Sequence, residues 1–585
     1  MSSTAPPARV DPQLTANALE VLRARYLKKD DRDRIVETPA EMFARVAAHV
    51  ADVERRFGGD SAATADAFYE AMARLEFLPN SPTLMNAGTR LGQLAACFVL
   101  PVDDSLDGIF NSLRDAALIH QTGGGVGYDF SRLRPKGDPV ASTGGGSSGP
   151  VSFMTVFDAA VDAVRQGGRR RGANMGVLDV HHPDVEEFIT AKRDPGRLRN
   201  FNLSVAVDDA FMKAAAEAQP ITLVNPRTGH AVGTRQAERL LDLVATSAWE
   251  TGDPGLIFVD RINRDNPTPA LGRITATNPC GEVPLLPYEA CVLGSINLAA
   301  LSARGAFDWE RFDRLTDLGI RFLDDCIDAS LFPLPQIAVA VHRSRKIGLG
   351  IMGFADALVD LGIAYDDEAA MGFAQDVMAR MAVRAAHASR SLAKARGPYP
   401  DFPRSREAEA GAPPLRNATR LAIAPTGTLS LIAGCSSGIE PLFAVAYERH
   451  VLDGRRLVEV NPRFEAWATR AGLWSPQLRA TVLASGSVRN LAEIPAAVRR
   501  LFPTAHEVPA EHHLRVQAAF QAHVDNAVSK TINFPAAATV SEIASAYRRA
   551  FELGCKGITV YRHGTKAGQV LGATLCRASG CSTTL

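Results

Sequence analysis

Asn278-Pro279-Cys280-Gly281-Glu282 sets an amide, a thiol and a carboxylate on one turn. A thiol in that company can act as nucleophile or radical carrier, the carboxylate as base, and the amide as a hydrogen-bonding hold on an oxygen. Pro279 and Gly281 fix a turn that aims the three side chains into one cavity. A lone cysteine is most often a small buried apolar side chain. That plain reading must also account for the charged neighbour and for a second cysteine, Cys291, which follows in PYEACVLGSINL.

Further candidates lie elsewhere in the chain. Pro425-Thr426-Gly427-Thr428-Leu429-Ser430 leads into an apolar segment, and hydroxyls and glycine at a helix N-terminus leave backbone N–H groups and the helix dipole facing an anion. Thr and Ser also cap many helices with nothing bound. Gln166 to Met175 joins glycines to Arg169, Arg170 and Arg171, in ordinary terms a solvated basic turn. Cys97 and Cys291 lie in strand-like runs, LAACFVLPV and EACVLGSINL, and their spacing alone does not bring them together. Cys576 and Cys581 form a C-x4-C pair near the C-terminus. No second pair or suitable His spacing completes a zinc site, so no metal is expected and a redox dithiol is the better reading. An ordinary frayed end is the plain alternative. Cys326, Cys435 and Cys555 have no acid, base or partner at useful spacing and read as structural.

These residues need a scaffold that the rest of the sequence describes in outline. A chain of 585 residues exceeds one small core and predicts a large catalytic domain with smaller elements. Its 64 basic and 64 acidic residues balance, which argues against a polymeric nucleic acid partner but leaves small phosphate ligands open. No signal-type segment or membrane-length apolar run occurs, so a cytoplasmic protein is expected, its eight cysteines mostly reduced. Residues 1–12 read as disordered. Residues 13–78 show helical periodicity, as in AEMFARVAAHVADVERRF, and predict a small helical domain. From 79 onward short apolar runs (CFVLPV, ITLVN, GLIFVD, RLAIAP) alternate with helical segments, which predicts an α/β fold over 79–563. The Gly-, Ser- and Thr-rich residues 564–585 read as a mobile tail.

Many ordered motifs together resemble one family. They are NSPTLMNAGT at 80–89, CFVLPVDDSLDGI at 97–109, TGGGVGYDFSRLRPKG at 122–137 and RRRGANMGVLDVHHPDVEEFI at 169–189. NPCGEVPLLPYEACVLGSINLA, APTGTLSLIAGCSSGIEPLFA at 424–444, DNAVSKTIN at 525–533 and GCKGITVYRHGT at 554–565 complete the set. The chain resembles ribonucleotide reductases, most closely the adenosylcobalamin-dependent class II enzymes.

The resemblance implies a ten-stranded α/β barrel with Cys280 on a finger loop through its centre. It implies a thiyl radical on Cys280, Glu282 as base, Asn278 holding the ribose oxygens, and Cys97 with Cys291 as a dithiol that supplies two electrons. Cys576 and Cys581 would then re-reduce that pair and be reset by a thioredoxin-like reductant. A ribonucleoside diphosphate substrate would sit against Ser81, the backbone at Ala96, Cys97 and Gly125, the 278–282 turn, and a phosphate cradle of Pro425, Thr426, Gly427, Thr428 and Leu429. A deoxynucleoside triphosphate or ATP effector would bind Asp104 and Arg134 near the interface of a homodimer, with Arg169 and Arg171 on the loop that relays effector identity.

Class I relatives relay a radical through two adjacent tyrosines, whereas Tyr561 is followed here by Arg562; class III relatives use a C-terminal glycyl radical, and this chain ends in cysteines. Adenosylcobalamin is therefore the implied cofactor, and a class I-type large subunit served by a separate radical-generating subunit is the alternative. No D-x-H-x-x-G cobalamin motif occurs, since Asp179-Val180-His181-His182-Pro183-Asp184 lacks the glycine, but class II enzymes do not need it. The N-terminus offers no room for the long regulatory domain of many relatives, so overall inhibition by dATP is not expected. A catalytically dead nucleotide-binding regulator is the competing class, and it would have no reason to hold this full set of cysteines with Asn278 and Glu282.

Overall fold

A parallel sheet made of continuous apolar runs must cover both faces, and helical crossovers supply the outer cover. The computed structural model describes residues 10–141, 144–164, 172–451, 455–565 and 571–572. Arg169, Arg171, Cys576 and Cys581 lie outside the described residues, as do most of the expected N-terminal segment and tail.

The apolar runs assemble as β1 (Cys97–Pro101), β2 (Gly125–Asp129), β3 (Asn174–Asp179), β4 (Phe201–Val207), β5 (Gly255–Phe258), β6 (Ala290–Asn297), β7 (Ile347–Met352), β8 (Thr531–Phe534) and β9 (Gly557–Arg562). They belong to a ten-stranded sheet whose remaining member, Phe77–Pro79, lies beyond β1 along the same edge of β6. Strands β1 to β5 run parallel to one another. Strands β6 and β7 are also parallel, as are β8 and β9. The ring closes between β7 and β8 through the extended 421–423 segment, by parallel bridges Leu349↔Leu421 and Ile423↔Val528. Two parallel halves thus meet at two antiparallel seams, Cys97↔Cys291 and Leu256↔Ile558. RLAIAP supplies this closing segment, whereas ITLVN forms a separate hairpin outside the barrel, Pro220–Val224 with Ala231–Gln236.

Alternation along the strands separates two cores. Inward residues Cys97, Val99, Met175, Val177, Ile257, Cys291 and Leu293 pack on Ile274, Ala276, Val283 and Leu285 of an inserted finger. Outward residues such as Phe98, Leu100, Val126 and Tyr128 pack with the covering helices. Those helices include Leu106–Gln121 and Pro150–Ala163 on the first half, and Trp309–Ala329 and Val540–Glu552 on the second.

The N-terminal part is helical because its ends are well capped. Thr38 and Glu41 form a capping box ahead of Pro39–Ala51, with Pro39 in the first turn, and Asp60 caps Ser61–Ala73. A buried ion network fastens it to the barrel. Arg396 bridges Glu54 at 2.6 Å and Asp325 at 2.5 Å, while Arg345 holds Asp324 at 2.7 Å.

The finger enters because β2 has no side chain in its way. A Cβ at Gly127 would stand 1.8 Å from Thr277 O, and one at Gly125 would stand 2.9 Å from Pro279 Cγ. Gly127→Ala is therefore expected to lower stability by about 1–3 kcal/mol, as overpacking does. Gly372 on the exposed face of Glu368–Arg396 has nothing within 4 Å of a built Cβ, so Gly372→Ala should be neutral or stabilising by up to about 1 kcal/mol. Unfolding midpoints of the two variants, which should move in opposite directions, check this.

Candidate active site

The finger is a short hairpin, Ala276–Thr277 with Pro284–Leu285, and its tip is the 278–283 turn. The backbone closes the turn by Gly281 N–H to Asn278 O at 3.0 Å and Asn278 N–H to Val283 O at 3.3 Å. Gly281 sits at φ 83°, the left-handed region where glycine carries no steric penalty. Asn278 Oδ1 accepts from Val283 N–H at 2.9 Å, so the amide side chain is oriented by the turn it belongs to. Two tethers from the wall fix the finger. Asn202 Nδ2 donates to Pro279 O at 2.8 Å, and Ala527 N–H donates to Glu282 O at 2.9 Å.

The tip divides its side chains between two environments. Asn278 and Glu282 are buried at 1 and 2% exposure, whereas Cys280 between them is exposed. Asn278 Nδ2 donates to Cys97 Sγ at 3.0 Å, and the Cys97 thiol donates to Glu282 Oε1 at 3.9 Å. Cys291 is the residue directly opposite Cys97 across the antiparallel seam. Facing residues of such a pair have Cα atoms about 4.5–5.5 Å apart and side chains on one face, inside the range a disulfide spans. Burial pushes the Cys291 thiol well above its usual range, and the Glu282 carboxylate adds to the shift. The amide, carboxylate and two thiols therefore make one buried cluster.

Cys280 opens onto a cavity of about 1010 Å³, lined also by Pro279, Gly281, Pro425 and Gly427. Helix Gly427–Ala433 begins there. Thr426, its N-cap, stands at φ 54° and makes no capping hydrogen bond to the helix. Its hydroxyl accepts instead from Gly438 N–H at 2.8 Å, which leaves the first-turn N–H groups without a side-chain cap. Thr428 is half-buried and Leu429 buried on the same helix.

Other expected residues sit further back. Ser81 Oγ is 2.7 Å from Tyr26 OH, and Gly125 N–H donates to Ala96 O at 2.8 Å in the seam beside β1. Neither Ser81, Ala96 nor Gly125 lines the cavity. Asp104 and Arg134 pair with each other, Oδ2 to Nε at 2.9 Å, and Asp104 Oδ1 also accepts from Arg134 N–H at 3.1 Å.

Of the cysteines read as structural, Cys326 and Cys555 are buried, and burial pushes the Cys555 thiol up to about 12. Cys435 is half-buried and borders the cavity. Among the described residues no group of three His, Cys, Asp or Glu side chains is placed to hold a metal ion, and no helix is long and apolar enough to cross a membrane.

Tyr561 and Arg562 alternate across β9. Tyr561 lines the cavity, while Arg562 lies 3.9 Å over the Trp249 ring and donates from Nε to Trp249 O at 3.0 Å. Asn202, Lys346 and Glu289 escaped the sequence reading. They lie far from the motif cysteines in sequence or within ordinary strand edges, and only the barrel brings them to the finger and the cysteine pair.

Comparison with known proteins agrees with this geometry. A family model described as ribonucleotide reductase, barrel domain, matches residues 95–413 and 407–561, and one described as ribonucleotide reductase, all-alpha domain, matches residues 12–92. The vitamin B12-dependent ribonucleoside-diphosphate reductase of Mycobacterium tuberculosis is 52% identical over 561 residues, 96% of this chain and 79% of the relative. The protein of the same name from Thermoplasma acidophilum is 46% identical over 621 aligned positions, 96% of this chain and 81% of that one. Among solved structures, the Actinobacillus ureae class Id ribonucleotide reductase alpha subunit is similar in fold, with a TM-score of 0.77 over 96% of this chain and 99% of that chain at 24% identity. With a closed ten-stranded barrel, a finger that carries Cys280, and a facing cysteine pair beside it, the chain belongs to the ribonucleotide reductase family.

Proposed function

We propose that this chain reduces ribonucleoside diphosphates to 2′-deoxyribonucleotides by radical chemistry at Cys280, with adenosylcobalamin as its cofactor. One observation carries the reading. Asn278, Glu282, Cys97 and Cys291 share one buried cluster, and Cys280 from the same turn faces a large cavity. The names of the relatives at 46 and 52% identity support the cofactor and the substrate class.

The cavity is roomy and opens directly at the reacting thiol. Its volume of about 1010 Å³ is at the top of the range of ordinary ligand pockets, and the Cys280 thiol is exposed to it. Phe443, Tyr447, Asn533 and Tyr561 also line it and would hold the cofactor. Adenosylcobalamin, when bound, would supply the radical chemistry that oxidises the Cys280 thiol by one electron and one proton.

The chain's own residues do the rest. The Cys280 sulfur takes the ribose 3′ hydrogen, and Glu282 takes the 3′ hydroxyl proton. Asn278 holds the ribose oxygens. The 2′ hydroxyl leaves as water with a proton from the thiol pair. Cys97 and Cys291 supply two electrons and end as a disulfide, and Cys280 recovers its radical when the 3′ hydrogen returns. Helix Gly427–Ala433 offers its N–H groups to the diphosphate, and Thr428 in its first turn adds a hydroxyl.

Partners and location follow by the same reading. Strand Leu571–Gly572 pairs with Ala446–Val451, and Tyr447 of that hairpin lines the cavity. In the sequence Cys576 and Cys581 follow Gly572 by four and nine residues. They would re-reduce Cys97–Cys291 and be reset by a thioredoxin-like protein in the reducing cytoplasm. Leu106, Phe110 and Leu118 on one helix and Val156 on its neighbour are exposed apolar side chains, a face suited to a homodimer. Asp104 and Arg134 lie near that face and, together with Arg169 and Arg171, would receive a deoxynucleoside triphosphate or ATP effector.

Cys280→Ser should abolish deoxynucleotide formation while nucleotide binding persists, because a hydroxyl does not carry this radical; appreciable product from the variant would overturn the mechanism. Activity should require adenosylcobalamin and an effector nucleotide and no metal-loaded partner protein. A requirement for such a partner would reinstate the class I alternative. Cys576→Ser with Cys581→Ser should lose thioredoxin-driven turnover and keep turnover with dithiothreitol, and equal loss with both reductants would give the tail another role. Phe110→Glu should shift the protein from dimer toward monomer in sedimentation analysis.

A further inference from the structure

A buried charge pair lies against the cysteine pair, and the chemistry above gives it no role. Lys346 Nζ is 2.6 Å from Glu289 Oε2, and both residues are buried, at 0 and 3% exposure. Glu289 Oε2 also accepts from Leu286 N–H at 2.8 Å, which fixes the carboxylate. A buried ion pair is often no more stabilising than apolar residues of the same size, so stability alone does not account for it.

Register places the pair. Inward positions alternate along β6 and β7. A Cβ at Gly348 of β7 would stand 3.6 Å from Cys291 Sγ, so Gly348 is the inward neighbour of that thiol. Carried back one residue, the parallel Val292↔Ile347 register sets Lys346 across from Cys291 itself, while Glu289 is the inward position before Cys291, just ahead of β6. Glu289 stands about 6–7 Å along the chain from Cys291, and its carboxylate meets the Lys346 ammonium. The charged groups that act on Cys291 are Glu282 from the finger, Glu289 from its own strand, Asp525 from the segment before Val528, and Lys346, the lone cation among them.

We propose that Lys346 is a positioning residue for reopening the Cys97–Cys291 disulfide: its ammonium steadies Cys291 as the leaving thiolate, and Glu289 fixes the ammonium in place. The proposal rests on the reading of Cys97 and Cys291 as the redox pair. A thiolate of a dithiol reductant bonds to Cys97 Sγ, the more accessible sulfur at 4% against 0% exposure. The S–S bond breaks and its electron pair leaves on Cys291 Sγ. The reductant's second thiolate then attacks the mixed disulfide and releases Cys97 Sγ with its electron pair. The reductant ends as a disulfide, and the protons its thiols gave up are balanced by those the two cysteines take. Exchange runs faster as the leaving thiol's pKa falls, and a buried thiolate among three carboxylates needs a cation to leave.

The test is the rate at which dithiothreitol restores thiols in oxidised enzyme, followed across a pH series. Lys346→Met should slow it by about three- to tenfold. Lys346→Arg should keep the rate near wild type, and Glu289→Gln, which removes an anion and leaves the cation, should hold or raise it. The neutral pair Glu289→Gln with Lys346→Met keeps the shape without a buried orphan charge and should be as slow as Lys346→Met. Wild-type rates in Lys346→Met or in the neutral pair would overturn the proposal, as would equal slowing by Lys346→Met and Glu289→Gln, the mark of a purely structural role. Failure of the underlying reading looks different: peptide mapping of wild-type enzyme after one turnover without reductant would then show no Cys97–Cys291 disulfide.

Discussion

The antiparallel seam between β1 and β6 is the constraint on which the rest of the site depends. Parallel strands dominate this barrel, and each half is wound by helical crossovers that cannot bring strands from opposite ends of the chain into a tight pair. Where the halves meet, the direction reverses and Cys97 faces Cys291. A slip of one residue in that register would turn one thiol out toward the covering helices, into the layer that holds Phe98. The facing of the two thiols is therefore a consequence of how the ring closes.

The finger depends on the same ring. A ten-stranded barrel has more interior than wall side chains fill, and the hairpin through residues 276–285 occupies it. Small residues make the room, since Gly127 and Gly125 leave the wall open where the finger backbone and Pro279 pass. Asn202 from β4 and the backbone of Ala527 then tie the finger to opposite halves. Asn278 and Glu282 consequently reach down to Cys97 while Cys280, on the outer side of the same turn, meets the cavity. One short loop thus has a dry side against the two thiols and an open side on the cavity. The Glu289–Lys346 pair lies beside Cys291 on the buried side and adds a cation to a place crowded with carboxylates.

The chain's departure from a tyrosine relay has a physical counterpart in β9. Successive residues of a strand face opposite ways, so a second tyrosine after Tyr561 would have to be accommodated outside the barrel. Arg562 takes that place and lies over Trp249, held by its Nε hydrogen bond to the Trp249 carbonyl. The aromatic side chain that borders the cavity is thus a single one at this point of the wall.

The sequence by itself determined the chemical inventory. Asn278, Cys280 and Glu282 are near neighbours, so their place on one turn follows from local backbone geometry, although the fold sends Cys280 to the cavity and the other two inward instead of all three into one cavity. Periodicity in residues 13–78 and the alternation beyond them declared a helical N-terminal part and an α/β remainder. Cys97 and Cys291 were joined only by resemblance, because 194 residues separate them and no local rule spans that distance. Tertiary structure decided their register, the closure of the ring through 421–423, and the exclusion of ITLVN from the barrel in favour of an outer hairpin. It also decided the mutual pairing of Asp104 with Arg134 and the burial of Lys346 beside Glu289. Spacing along a strand fixes which face a side chain takes, but what lies across that face is set by strands far away in the chain.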